Sequence, residues 1–257
     1  MANDRQKVVL ITGCSSGIGL KLATHLANDT TKQFYVIATM RNLNRKGQLE
    51  AAAGETLNKT LHIRQLDVCS DESVAECLNS IQDKGVDILG VIFNDVYAAS
   101  KFAMEGFCES LVVQLLKFNI YVSMIEPGPV NTEFEMKLME EVSHSTFPGT
   151  DSETVQYFKD IYLPASNDIF ATMGQTPDTI AKATVKVIKM ERPVFRYQTN
   201  MLYTPLTAMK YADNTGNLSI RMFYNLLFNY GTFFKISLNC LRIITCNCFR
   251  SSAVSPN

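Results

Sequence analysis

The 257-residue chain has no run of ~18 uninterrupted apolar residues, so a membrane-spanning helix is not expected. It has no Cys-x-x-Cys. Its seven cysteines (Cys14, Cys69, Cys77, Cys108, Cys240, Cys246 and Cys248) are odd in number and scattered, as in a cytosolic chain that keeps its thiols reduced. The three histidines, His25, His62 and His144, stand far apart with no partner at ligand spacing, so no metal site is expected. There is no basic excess either. Lys and Arg number 24 against 25 Asp and Glu, a net charge of −1, which argues against a general nucleic-acid binder. The polar opening Met1–Lys7 lacks the pattern of a signal peptide, so a cytoplasmic location is expected. No acidic residue follows Asp213. There Arg221, Lys235, Arg242 and Arg250 give the last 44 residues +4 and leave residues 1–213 at −5.

What is present is 46% hydrophobic and 19% charged, which excludes disorder, collagen and coiled coil. Apolar runs at Lys7–Thr12, Phe34–Thr39, Leu61–Leu66 and Val86–Phe93 read as strands, with one more at Tyr121–Ile125. Between them, helical spacing marks Ile18–Ala27, Gln48–Leu57, Ser70–Ile81 (Val74, Cys77, Leu78 and Ile81 inward) and Tyr97–Phe118. This alternation predicts an α/β fold, a doubly wound, Rossmann-like parallel sheet with helices on both faces. Residues 133–173 read as loop and short helices over a pocket, Pro177–Met190 as a helix and Pro193–Arg196 as a strand. The expected organisation is a dinucleotide-binding domain over 1–213 and a basic, aromatic-rich tail over 214–257.

Straight after the first strand comes Thr12-Gly13-Cys14-Ser15-Ser16-Gly17-Ile18-Gly19, opening a helix. Glycines remove the Cβ atoms that would block a tight turn and a close approach to pyrophosphate, while the helix start offers free N–H groups and a positive dipole end. All eight residues are therefore candidate cofactor contacts. A carboxylate about 20 residues past the glycines would bind the ribose of NAD. The neighbourhood is instead Thr39-Met40-Arg41, and Arg41 suits the extra phosphate of NADP(H).

Tyr97 and Lys101 sit at i,i+4, on one helix face. A nearby ammonium favours the phenolate and draws the tyrosine, with its ordinary pKa near ~10, towards general acid–base work. The glycine turn, Tyr97-x-x-x-Lys101 and Pro127-Gly128-Pro129-Val130-Asn131-Thr132, taken in order, resemble the short-chain dehydrogenase/reductase family over residues 7–210 or so. Residues 12–20 and 93–111 are similar to its branch of retinol and 17β-hydroxysteroid dehydrogenases. The resemblance implies that Tyr97 gives the proton to a carbonyl as hydride arrives, while Lys101 binds the nicotinamide ribose and lowers the tyrosine pKa. It also implies that Ser16 and Arg41 contact the 2′-phosphate, Asp67 and Val68 the adenine, and Pro127 and Val130 the nicotinamide side. The implied substrate is a lipophilic carbonyl or alcohol. The resemblance favours a retinoid (all-trans-retinal reduction) over a steroid, because the steroid-active branch carries a steroid-contacting histidine near the position of Met222-Phe223, where this chain offers only apolar groups.

One departure stands out. Only seven residues separate Leu89 from Tyr97, and the Asn-Asn-Ala-Gly strand end, the next helix and the strand bearing the catalytic serine have no counterpart. Such a unit needs ~30 or more residues. Val86–Phe93 therefore reads as the start of one strand spliced to the run-up of a later loop by a deletion at Leu89/Gly90, and the fused strand is expected beside the first strand because that slot cannot stay empty. The tyrosine helix would be displaced and the chemistry impaired, so a catalytically silent, cofactor-binding isoform is the competing expectation. The tail, Arg221–Phe249, interleaves aromatics with Lys235 and Arg242, as expected of a segment lying peripherally on an anionic membrane, with Cys240, Cys246 and Cys248 as palmitoylation candidates. A second copy of the chain is a further candidate partner.

Overall fold

The computed structural model describes residues 6–81, 85–90, 98–147 and 151–225, with 229, 236–237 and 240 beyond them. Its first unit comprises residues 1–124 and 178–197, its second 125–177 and 198–257.

The first unit alternates strand and helix: β1 (Lys7–Ile11), α1 (Gly17–Ala27), β2 (Phe34–Met40), α2 (Gly47–Ala53), β3 (Leu61–Gln65), α3 (Asp71–Asn79), β4 (Ile88–Gly90) and α4 (Ala98–Leu115). The four strands pair in parallel in the order β3-β2-β1-β4, the doubly wound arrangement expected. Alternate residues of β1 and β2 face opposite sides. Val9, Ile11, Val36 and Ala38 pack with Leu22, Leu26 and Leu49 on one face, and Leu10 and Ile37 with Cys77 and Ile81 on the other. Burial on both faces is why these strands are continuous apolar runs.

β4 takes the slot beside β1, with Val9 opposite Ile88 and Ile11 opposite Gly90. Asp87 fixes this register: its N–H donates to the Val8 carbonyl at 2.9 Å, and its Oδ2 accepts the Val8 N–H at 2.7 Å. Residues 91–97, with the rest of the expected Val86–Phe93 strand and Tyr97, lie outside the described residues.

The chain then continues through β5 (Met124–Glu126), α5 (Glu133–His144), α6 (Ser152–Tyr157), a π-helical stretch Phe158–Tyr162, α7 (Leu163–Met173), α8 (Pro177–Ile188), β6 (Arg196–Gln198), α9 (Thr204–Ala212) and α10 (Asn217–Tyr224). β5 and β6 form a separate two-stranded sheet. α8 belongs to the first unit, where its Ala181 joins the β1–β2 core.

Three expectations shift. Leu78 is exposed rather than inward, because α3 ends at Asn79 and Cys77 and Ile81 carry the burial. The strand after Pro193 starts at Arg196, since the Phe195 carbonyl accepts the Met124 N–H at 2.7 Å and sets the pairing from there. Residues 133–144, expected as loop and short helix, form one regular helix. The Thr132 hydroxyl caps it by accepting the Glu135 N–H, and Glu133 and Glu135 in the first turn complement its dipole.

Two ion pairs tie α8 to α1 and the residue after its cap. Asp178 accepts from His25 Nε2 at 2.6 Å and from Lys182 Nζ at 2.7 Å, and Lys189 Nζ meets Asp29 at 2.6 Å. The Lys182 hydrogen bond, then that of His25, holds the Asp178 carboxyl below its usual range. A carboxyl depressed by folding adds stability above its unfolded-state pKa, and that stability is lost as pH falls through the folded value. Asp178→Asn is therefore expected to lower the urea midpoint near pH 7, by the equivalent of about 1 kcal/mol or less for so exposed a group. Near pH ~2 the midpoint should match that of the parent chain.

Candidate functional site

At the end of β1 the chain turns through Thr12–Gly19. Gly13 and Gly17 adopt φ of 69° and 60°, a region that side chains disfavour. Gly19 is constrained by space: a Cβ there would lie 2.3 Å from the Gly13 carbonyl oxygen. The first helical hydrogen bond of α1 runs from Leu20 N–H to Ser16 O, so the N–H groups of Gly17, Ile18 and Gly19 have no partner within the helix. Ser16 stands at the N-cap without a side-chain capping bond, and the first turn holds no acidic residue. The cradle is open to an anion.

Sequence reasoning missed what holds this cradle. Thr39, weighed only as a position without a carboxylate, is buried at the end of β2; its carbonyl accepts the Cys14 N–H at 2.9 Å and its hydroxyl donates to Ile11 O at 3.0 Å. The signal was its polar side chain at the end of an otherwise apolar strand. Cys14 gives its backbone to the turn and its side chain to the core, where Sγ lies 3.3 Å from Ile11 O and burial pushes the thiol up to about 12. We therefore expect native alkylation followed by mass spectrometry to modify the exposed Cys69 and leave Cys14 untouched until the chain unfolds.

The parallel strands bring further residues to the same sheet edge. Arg41 follows β2, is exposed, and has no ion-pair partner among the described residues. Asp67 and Val68 follow β3. The Asp67 carboxylate accepts the Cys69 N–H at 3.0 Å, its own N–H donates to the Ser73 hydroxyl, and Val68 is half exposed. Lys101 is exposed in the first turn of α4, beyond β4. Glu105, one turn along, is ion-paired to Arg196 of β6. Tyr97 lies outside the described residues.

Pro127 and Val130 fall in the second unit. Gln175 braces their segment. Its N–H donates to Pro129 O at 2.8 Å, its carbonyl accepts the Asn131 N–H at 2.9 Å, and its amide exchanges hydrogen bonds with Thr199. Gly128 is pressed against Tyr203, whose ring carbons would lie 2.9 and 3.0 Å from an added Cβ; burial pushes that phenol up to about 12. A cavity of about 320 Å³ opens between α5 and α7, as residues 133–173 were expected to provide.

The family model for short chain dehydrogenases matches this chain twice, over residues 7–94 and 86–143, so residues 86–94 fit two places in the family pattern. Retinol dehydrogenase 8 of Bos taurus is 46% identical over 308 positions, covering 96% of this chain and 98% of the relative. About 60 of those positions face no residue of a 257-residue chain. The Homo sapiens protein of the same name is 46% identical over 302 positions (94% of this chain, 96% of the relative), and Homo sapiens 17-beta-hydroxysteroid dehydrogenase type 1 is 34% identical, covering 82% of each. Among solved structures, an actinorhodin polyketide ketoreductase with NADPH superimposes with a TM-score of 0.57 at 16% identity, over 77% of this chain and 97% of that one. L-sorbose reductase from Gluconobacter frateurii, complexed with NADPH and L-sorbose, gives 0.55 at 19%, over the same shares.

Proposed function

Because the chain belongs to the short-chain dehydrogenase/reductase family, we propose that it is an NADPH-dependent oxidoreductase that interconverts retinal and retinol, in the direction of retinal reduction. The observation that carries this reading is the glycine cradle at the head of α1 with Arg41 beside it, in a chain 46% identical to retinol dehydrogenases. The cradle fits a pyrophosphate: three N–H groups without helical partners, no first-turn carboxylate, and a glycine where any side chain would collide with backbone. Arg41 and Ser16 suit the 2′-phosphate; Asp67 and Val68, at the end of β3, suit the adenine.

The bound nucleotide would supply the hydride. Lys101 would hold the nicotinamide ribose, and Tyr97 would donate its proton to the substrate carbonyl oxygen. Pro127 and Val130 are the candidates for the nicotinamide side. The deletion at Leu89/Gly90 would displace the helix bearing Lys101 and leave out the serine that would steady the carbonyl, so slow turnover is expected. Among the described residues no helix is long and apolar enough to cross a membrane. A peripheral attachment draws support from α10, whose Leu218, Ile220, Phe223 and Tyr224 are exposed beside Arg221, and from the exposed Cys240. Most of the expected Arg221–Phe249 segment, with Cys246 and Cys248, lies outside the described residues.

A steroid substrate is the second reading, favoured by the 34% identical 17-beta-hydroxysteroid dehydrogenase. A silent isoform is the third, favoured by the double match at 86–94. Purified chain given NADPH with retinal or with estrone separates the three. Faster loss of nicotinamide absorbance with retinal supports the first reading and faster loss with estrone the second. Calorimetric NADPH binding without turnover supports the third.

A further inference from the structure

The cavity in the second unit has a chemistry that carbonyl reduction does not use. Along α5, Glu135, Met139 and Ser143 recur every fourth residue, with Met136 and Glu140 alongside, so one helix face lines the cleft. Phe170 faces them from α7. The volume of about 320 Å³ is at the lower end of small-ligand pockets, ~300–1,000 Å³.

Two carboxylates share this cleft, and no Lys, Arg or His lines it. Among the described residues neither Glu135 nor Glu140 is in an ion pair. Burial raises the Glu135 carboxyl above its ordinary range, and no neighbouring cation counters it. The imbalance is regional as well as local. Residues 133–173 hold eight acidic and two basic side chains, a net −6 within a chain of −1. A half-buried carboxylate without a counter-charge is unfavourable, and a cleft of one sign concentrates the opposite ion.

The rest of the wall selects which cation. Met136, Met139 and Phe170 offer two thioethers and a ring, poor ligands for a hard metal ion but good surfaces for an alkylated ammonium. Among the described residues no cluster of three or more metal-ligating side chains exists. Asn131 and Asn167, also on the wall, add amide oxygens that accept from an N–H or a water. We propose that the cleft between α5 and α7 binds an amphiphilic organic cation, an ammonium bearing a hydrocarbon chain, with Glu135 and Glu140 at the charge and Met136, Met139 and Phe170 along the chain. Such binding needs neither nucleotide nor turnover, so it stands whether or not the chain reduces a carbonyl.

Calorimetric titration of the full chain with hexyltrimethylammonium tests this, with hexanol and tetramethylammonium as comparators. One saturable site is expected for the first, with both comparators weaker by about tenfold or more. Glu135→Gln combined with Glu140→Gln should weaken binding by about tenfold or more, whereas Glu141→Gln, exposed on the same helix, should change it by less than about twofold. Circular dichroism reports whether the double variant folds; if it does not, Glu140→Gln alone, at an exposed position, is read in its place. Hexanol binding as tightly as the ammonium would overturn the assignment. So would equal losses in the cleft variant and Glu141→Gln, or the absence of a saturable site.

Discussion

Gly19→Ala is expected to eliminate measurable NADPH binding and to destabilise the chain by roughly 1–3 kcal/mol, in the range of overpacked sites. The added Cβ would sit 2.3 Å from the Gly13 oxygen and 2.9 Å from its carbonyl carbon. Both are backbone atoms, so no rotamer change relieves the overlap. The turn must open, and with it the cradle formed by the free N–H groups at the head of α1. Gly106→Ala is the matched control: it lies inside α4 with nothing within 4 Å of its added Cβ, and should stabilise by ~0.5–1 kcal/mol through lost backbone freedom. The urea midpoints of the two variants should therefore move in opposite directions, and calorimetry should show NADPH binding lost in Gly19→Ala and kept in Gly106→Ala. Equal behaviour would remove the steric basis of the cofactor site.

Restoring the absent strand–helix–strand unit between Leu89 and Gly90, taken from a retinol dehydrogenase relative, is expected to raise kcat/KM for retinal by about 100-fold or more. Displacing catalytic groups by even ~1 Å has a cost of that order, and a slot error of one strand is ~4.8 Å. NADPH affinity should change far less, since the cradle, Arg41 and Asp67 all precede the junction. Unchanged turnover in a folded, NADPH-binding insertion variant would mean that the gap is not what limits the chemistry.

Much of the first unit was legible because its physics is local. β1 and β2 are buried on both faces and so print continuous apolar runs, and a glycine turn between strand and helix has few other uses. The place of β4 was legible by exclusion, since β1 could not keep a bare edge. Less legible were features whose cause lies far along the chain. Thr39 closes the turn from 25 residues beyond Cys14 and 28 beyond Ile11, Gln175 braces Pro129 and Asn131 from beyond α7, and Leu78 is exposed because α3 stops one residue later. The start of β6 was missed because Phe195 and Met124 set it across 71 residues. The cavity between α5 and α7 could be placed but not characterised, because its chemistry depends on which faces of two helices meet.

α4 carries Phe102, Phe107 and Val113 in the open, with Leu116, Phe118 and Ile120 just after it; Phe107 is 65% and Val113 73% exposed. Chaperones engage apolar surface of this kind and proteases follow, so marginal folding sets steady-state amount in a cell. The physiological weight of this protein then turns on its half-life more than on its rate constants, and a pulse-chase experiment would show a short one.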